Sequence, residues 1–483
     1  MTTSDLLSIL PVLVVAGWAT LLLLVDLAIP PARKYWTAWL ALAGLAAAFV
    51  LSLILSGGAV QGFGGMIVAD GFSQFLNYLF LLSGAITILL ARSYNQRMGI
   101  ERGEFYTLLL FTLSGMMLMA LAGDLIVVFL ALELLSIPLY VLAGFARPRQ
   151  ESEESAMKYF LLGAFSTGIL VYGIALTYGA TATTSLAGIV AAVSAGRAAP
   201  SLLLAGAGLI LVGLGFKVAA VPFHMWTPDV YEGAPSVVTA FMSVGAKAGG
   251  FAALLRVFVS AFPGLAADWV PVAAVLSALT MTLGNVAAIA QPNIKRMLAY
   301  SSIAHAGYIL MAVAAAGIPS IADFAVGSAL FYLLAYAVTN FGAWAVVMAV
   351  EREQGQGLAM DDYAGLGARR PGLALAMALF MLSLTGLPPT VGFVGKFYVF
   401  RASLEAGQVW LALVGVLTSL ISAYYYLRVV IIMYMREGAG EALRRRSLSA
   451  AVGLTALATF LLGIFPGSLM GLATRSALTL FGR

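Results

Sequence analysis

Apolar residues run along almost the whole chain in blocks of about 20, the length a helix needs to cross the hydrocarbon core of a bilayer. Such blocks fall near 5–28, 36–56, 72–92, 105–122, 124–146, 156–180, 201–221, 236–261, 269–291, 294–316, 321–350, 371–400, 408–435 and 449–474. They predict an all-α polytopic membrane protein of about 14 transmembrane helices. No stretch between them is long enough for a folded soluble domain. The first block, MTTSDLLSILPVLVVAGWATLLLLVDLAIP, lacks a basic leading region and is too long for a cleaved signal, so it reads as a span that stays.

Two blocks are interrupted. GLGFKVAAVPFHMWTPDVYEGAP, from Gly213 to Pro235, places Lys217 just before Pro222, and LTGLPPTVGFVGKFYVF places Lys396 after Pro388-Pro389. Proline removes a backbone donor and clashes with the preceding turn. Irregular backbone survives at membrane depth only where it is buried in protein or lines a watery cavity. Each break with its lysine therefore implies a hydrated place inside the membrane. The two broken helices are five spans apart, so they run in opposite directions, the mark of an inverted repeat. The chain then divides into helices 1–3 (1–104), a five-helix half-channel unit of helices 4–8 (105–261), its inverted copy of helices 9–13 (262–436), and helix 14 (437–483).

Composition agrees. Of 483 residues, 62% are hydrophobic and 10% charged, against about a quarter charged in soluble domains. Fifty-one glycines suit close helix contact. The absence of cysteine excludes disulfides, Cys-ligated zinc and iron–sulfur clusters, and the two histidines, His224 and His305, argue against a His-rich metal or haem site.

A net charge of +5 would suit nucleic acid, but the placement of the cations argues for none. One set of alternating loops holds Arg33, Lys34, Arg92, Arg97, Arg102, Arg147, Arg149, Lys158, Lys295, Arg296, Arg352, Arg369, Arg370, Arg436, Arg444, Arg445 and Arg446; the other set, with both termini, holds Arg197, Arg401, Arg475 and Arg483. By the positive-inside rule both termini face away from the cytoplasm. Arg256 and Arg428 fall toward span ends, where long side chains snorkel to the headgroups. Arg444 to Arg446 suit anionic lipid headgroups.

Four ionisable groups remain deep in spans, where such groups by default mark an ion path. Glu133 lies nine residues past Asp124, roughly 13 Å into its helix. Lys217 and Lys396 adjoin the breaks, and Lys247 sits about 12 residues, roughly 18 Å, into its own span. A desolvated lysine releases its proton more readily than one in water, and a nearby carboxylate opposes the release. Glu133 beside Lys217 would act as a switch, sending a proton along Lys247 toward Lys396. The competing reading, ion pairs that lock helices together, suits one such residue better than four. His305, with Tyr300, Ser301 and Ser302 near it, is a stepping stone for the relay. Tyr424, Tyr425 and Tyr426 either position water or pack. His224 either serves the relay or hydrogen-bonds carbonyls freed by the break. Lys158 and Lys295 are topology signals with a second possible role in proton entry.

GFKVAAVPFHMWTPDVYEGAPSVVTAFMSVGAKAG and QPNIKRMLAYSSIAHAGY resemble the signatures of the antiporter-like membrane subunits of respiratory complex I, which are related to Mrp-type antiporter subunits. The resemblance extends over essentially the whole chain. It is strongest to the N-type branch: no long lateral helix follows the fourteenth span, and Lys396 stands where the M-type has a glutamate. The resemblance implies Glu133 and Lys217 as charge pair, Lys247 as connector and Lys396 as terminal lysine. It implies membrane-arm partners, an M-type subunit and the small subunits nearest the quinone site, together with membrane lipids. NADH, FMN, iron–sulfur clusters and quinone would bind in other subunits, with no cofactor in this chain. Alternatives are an Mrp-type sodium/proton antiporter subunit or a ferredoxin- or F420-linked complex. A bacterial cytoplasmic membrane is expected.

Overall fold

The computed structural model describes residues 2–352, 355–443, 445–476 and 478, so Arg444 and Arg483 of the charge pattern lie outside the described residues. The chain is nearly all helical. Helices α1 (Thr3–Ala28), α2 (Tyr35–Ile54), α3 (Gly71–Arg97), α4 (Gly103–Leu121), α5 (Leu125–Ala143) and α6 (Gln150–Thr181) lead to a short helix, α7 (Leu186–Ser194). Next come α8 (Pro200–Val218), α9 (Trp226–Gly233), α10 (Ser236–Val259), α11 (Ala266–Ile289), α12 (Ile294–Ala316) and α13 (Ala322–Val350). The chain continues through α14 (Pro371–Thr385), α15 (Val391–Glu405), α16 (Val409–Met435), α17 (Arg446–Ile464) and α18 (Gly467–Arg475). A departure from the all-α expectation is a small antiparallel hairpin between α2 and α3, pairing Val60 with Ala69 and Gly62 with Ile67. Three-residue strands are too short to carry a periodic signal.

Polar residues start the helices where water or loops meet them. Asp70 caps α3 by accepting from the Ser73 amide, and Asn293 caps α12 by accepting from the Lys295 and Arg296 amides. Among the described residues twelve helices are long and apolar enough to span a membrane, or thirteen if α17 and α18, bent by 84°, form one span. The expected 371–400 span does not count among the twelve because it is two helices of 15 residues each, α14 and α15.

Both breaks have a backbone cause. α8 stops at Val218 because Ala219 turns left-handed (φ 61°), and its amide and that of Ala220 close on Phe216 and Gly215. α14 stops at Thr385 because Gly386 turns left-handed (φ 90°) and bonds back to Leu382 and Ser383. In each case a proline, Pro222 or Pro389, stands four residues beyond the last helical residue and has no amide to give it.

The helices sort by burial. The apolar window of α10 is wholly buried and those of α12 and α13 nearly so, whereas two-thirds of the windows of α1 and α6 are not buried within the chain. α10 carries two π turns, Met242–Ala246 and Leu255–Val259, which rotate its faces between the two ends. α11 and α12 pack backbone to backbone: a Cβ on Gly284 would come within 2.6 Å of the Ala304 amide, and one on Gly307 within 2.6 Å of the Met281 amide.

Two cations differ from the sequence reading. Arg256 does not snorkel. It is fully buried, bidentate to Asp70 at 2.6 and 2.8 Å, and donates to the Ala120 carbonyl at 2.7 Å. The N-cap carboxylate of α3 supplies a closer counter-charge than any headgroup. Arg428 is half-buried and donates to Ile289 O (3.2 Å), at the end of α11, where the last carbonyls lack helical partners.

Candidate functional site

Lys217 is the penultimate residue of α8 and is buried. Its ammonium donates to Ser136 Oγ on α5 (2.8 Å) and to the Tyr159 hydroxyl on α6 (3.0 Å). Tyr159 stacks on Trp226, the first residue of α9, at 4.6 Å, and the Trp226 indole donates to Phe216 O (3.0 Å). The break is therefore closed by an aromatic stack that also positions the lysine. Glu133, one turn before Ser136 on α5, accepts from Thr167 Oγ1 (2.9 Å) on α6. The structure does not join Glu133 and Lys217 in an ion pair. Hydroxyls satisfy each of them separately, and Glu133 acts on the lysine through space.

Lys247 directly follows the first π turn of α10 and donates to both Oγ and the carbonyl of Ser302 on α12, each at 2.5 Å. The helix of Lys217 touches the helix of Lys247 close by, since a Cβ on Gly250 would lie 3.3 Å from Lys217 Cγ. Lys396, on α15, donates to Thr385 O (2.8 Å) and Ser419 Oγ (2.7 Å), with its ammonium 4.6 Å from the centre of the Tyr308 ring. Thr385 O is the carbonyl that Pro389 leaves without a helical amide.

α12 connects these two lysines. Ser302, His305 and Tyr308 recur every three residues and so share one face, spanning roughly 9 Å along the axis. Ser302 meets Lys247 at one end and Tyr308 meets Lys396 at the other. His305 stands between them, with Nδ1 on the Tyr332 hydroxyl (2.8 Å) and Nε2 on the Tyr426 hydroxyl (3.1 Å); Tyr426 also bonds Ser301. The Tyr308 hydroxyl continues to Thr418 Oγ1 (3.3 Å) and receives Asn285 Nδ2 (3.3 Å). Every member of this array is buried.

The tyrosine run is corrected residue by residue. Tyr424 is 62% exposed and makes no side-chain hydrogen bond among the described residues, whereas Tyr425 and Tyr426 are buried. Successive helical residues point about 100° apart, so a triplet cannot face one way. Tyr300 is half-buried and packs on the core without a side-chain hydrogen bond among the described residues. Sequence reasoning passed over Tyr159, Thr167, Tyr332 and Ser419. Ser136 was findable, since it stands one turn from Glu133 on the same helix face. The others come from helices distant in the chain and leave no local signal.

A charged cluster lies at the ends of α6, α9 and α12. Asp229 accepts from Lys158 (2.7 Å) and Arg296 (2.7 Å); Lys158 also pairs with Glu154 (2.6 Å) and Arg296 with Glu232 (2.8 Å). They line an open cavity of about 340 Å³. Next to it Lys295 is buried and donates to Ala234 O (2.6 Å). His224 is buried inside the first break beside the Pro222 backbone, its Nδ1 unpartnered among the described residues. No group of three His, Asp or Glu able to hold a metal ion occurs among the described residues.

The array offers amines, hydroxyls and an imidazole in sequence, the groups that exchange protons. The family described as NADH:quinone oxidoreductase/Mrp antiporter, transmembrane, matches residues 122–422. The chain is 50% identical to the NADH-quinone oxidoreductase subunit N of Chloroflexus aggregans, over 99% of this chain and 98% of that one. It is 45% identical to the NADH-quinone oxidoreductase subunit N 2 of Rhizobium meliloti, over 98% and 97%. A chain of respiratory complex I from Thermus thermophilus with bound aureothin matches with TM-score 0.82 and 37% identity, over 96% and 99%. A chain of the Mrp complex from Dietzia sp. DQ12-45-1b shares the fold, with TM-score 0.85 at 22% identity over 100% and 98%.

Proposed function

We propose that this chain, which belongs to the NADH:quinone oxidoreductase/Mrp antiporter family, is the N-type proton-translocating membrane-arm subunit of a respiratory NADH:quinone oxidoreductase. The observation that carries this reading is the line of three buried lysines, Lys217, Lys247 and Lys396, the last two joined through the polar face of α12. Its partners are the other membrane-arm subunits, an M-type subunit and the small subunits nearest the quinone site among them. NADH, FMN, iron–sulfur clusters and quinone belong to those other subunits; this chain has no cysteine to hold a cluster. It acts as the non-redox part of a translocase.

In the proposed cycle Glu133 and Lys217 form the switch. A negative Glu133 holds the proton on Lys217 from a distance; a rearrangement driven by the neighbouring subunit weakens that hold. The proton then passes to Lys247 and on to Ser302. His305 takes it on one ring nitrogen and releases it from the other, which is the capacity of an imidazole held between two hydroxyls. Tyr426 and Tyr332 fix the ring for both steps. Lys396 receives the proton beside Tyr308 and delivers it outward. Lys158 and Lys295, with Asp229 and Arg296, form the entry side, and His224 lines the break next to it. Tyr300 packs beside the path.

The proposed topology is fourteen spans, counting α14 with α15 as one broken span and α17 with α18 as another. Residues 105–261 and 262–436 form inverted five-helix units, supported by the matching breaks: a left-handed residue, a proline four residues past the helix end, and a buried lysine against each. The distribution of loop cations supports an orientation with both termini on the outer side of a bacterial inner membrane.

The test is proton translocation per NADH oxidised by membrane vesicles carrying the intact complex. Lys217→Ala is expected to lower that ratio, and an unchanged ratio overturns the reading. The second reading, an Mrp-type antiporter subunit, rests on the shared fold. Sodium/proton exchange without NADH oxidation would favour it.

A further inference from the structure

Among the buried carboxylates outside the relay, Glu351 differs from Asp26, Asp70 and Asp124 in having one oxygen without a partner among the described residues. Glu351 immediately follows α13, is fully buried, and accepts at Oε1 from the Tyr94 hydroxyl of α3 (3.1 Å). Its other oxygen, Oε2, is buried and has no hydrogen-bond partner among the described residues. A carboxylate desolvated with one oxygen idle is a costly structural part, because the unpaired acceptor forfeits its water and gains nothing. One oxygen is anchored by Tyr94, and the other, buried and without a partner among the described residues, is where a proton would bind.

The surroundings give that proton a source and a destination. Tyr94 lines an open cavity of about 460 Å³ together with Arg147, Arg149 and Glu151. The Tyr94 hydroxyl also accepts from the amide of Ser236, the first residue of α10 (3.0 Å). Two residues earlier, Ala234 O receives the ammonium of Lys295 (2.6 Å). The joint between α9 and α10 is thus gripped by Tyr94 on one side and Lys295 on the other. Glu351, Arg149 and Glu232 all act electrostatically on Lys295, and Glu351 also acts on the Tyr363 phenol.

We propose that Glu351 is a proton-loading carboxylate, which takes a proton on Oε2 from the Tyr94-lined cavity and hands it to Lys295 at the α9–α10 joint. Uptake forms the Oε2–H bond and neutralises the carboxylate. Transfer breaks that bond and forms an N–H bond on Lys295 after its ammonium has passed a proton inward, which restores the carboxylate and the ammonium; no other reactant is needed. The inference rests on the proton-translocating reading above and adds an entry site to it.

Glu351→Gln keeps the acceptor for Tyr94 and removes the ionisable oxygen. In vesicles carrying the intact complex it is expected to lower protons translocated per NADH as far as Lys217→Ala does. Uncoupled NADH oxidation is expected to stay unchanged, and Glu351→Asp to restore pumping. A normal ratio in Lys217→Ala would sink the underlying reading. A lowered ratio there beside a normal ratio in Glu351→Gln would sink only this one, and mark Glu351 as a fixed counter-charge. Should Glu351→Gln fail to assemble, Tyr94→Phe keeps the carboxyl and loses only its bond at Oε1. It is expected to move the carboxyl C=O band in infrared difference spectra of turnover, and an unmoved band overturns the proposal.

Discussion

The ammonium of Lys396 donates at 2.8 Å to Thr385 O, the carbonyl that Pro389 leaves without an amide. The lysine thereby repairs the break it stands beside. To reach that carbonyl its stem lies across Gly386, where a Cβ would come within 2.7 Å of Lys396 Cδ.

Gly386→Ala should therefore act twice. The left-handed backbone (φ 90°) costs an alanine about 1–2 kcal/mol, and the new methyl pushes Lys396 off Thr385. The expected outcome is a lower unfolding temperature of the purified complex together with reduced proton translocation. A variant matching wild type in both would show that the lysine does not need this seat.

His305→Phe should preserve the ring packing and remove both nitrogens from Tyr332 and Tyr426. The proton step through α12 is expected to slow by about 100-fold, the usual scale for losing a positioned acid–base group. Tyr424→Phe is the control, because Tyr424 is 62% exposed and outside the relay. Vesicle acidification during NADH oxidation separates the two; equal rates would remove His305 from the path.

Asp70→Ala or Arg256→Ala should each destabilise by about 3–5 kcal/mol, since either leaves a charge buried without its partner. The double variant Asp70→Leu, Arg256→Met should recover much of that loss. Thermal unfolding of the detergent-solubilised complex measures all three, and equal damage from the double and single variants would contradict the pairing argument.

Asp229→Asn should change stability little, since its pairs with Lys158 and Arg296 are about one-third exposed and such pairs contribute ~0–1 kcal/mol. Its effect belongs to proton uptake. The initial pumping rate is expected to fall and to lose part of its dependence on ionic strength, because the screened charges no longer include the carboxylate. A salt titration of vesicle acidification reads this directly.

Much of the architecture was legible because the bilayer imposes a simple rule on sequence. Residues 371–400 read as an apolar span, and Pro388-Pro389 marked where it would break; the structure breaks it at 386–390. Lys217 next to Pro222 was visible in the same way. The four deep ionisable residues stood out because each violates its surroundings. Contacts were less legible. Glu133 and Lys217 were expected beside one another as a charge pair, and the hydroxyls that meet them, of Thr167, Ser136 and Tyr159, could not be read from the chain. Arg256 was assigned to the headgroups because its position within the block was readable and its partner Asp70, 186 residues away, was not.

The sequence by itself determined the solvent, the helical blocks, the two breaks and the identity of the buried amines, because transfer into hydrocarbon is charged residue by residue along the chain. Only the tertiary structure decided which hydroxyl each amine meets, that Ser302, His305 and Tyr308 bridge Lys247 to Lys396, and that Tyr424 turns away while Tyr426 turns in. Those contacts join helices remote in sequence, and they depend on which helix faces come together, which is set by packing and small-residue approach between spans and leaves no periodic trace in either partner alone.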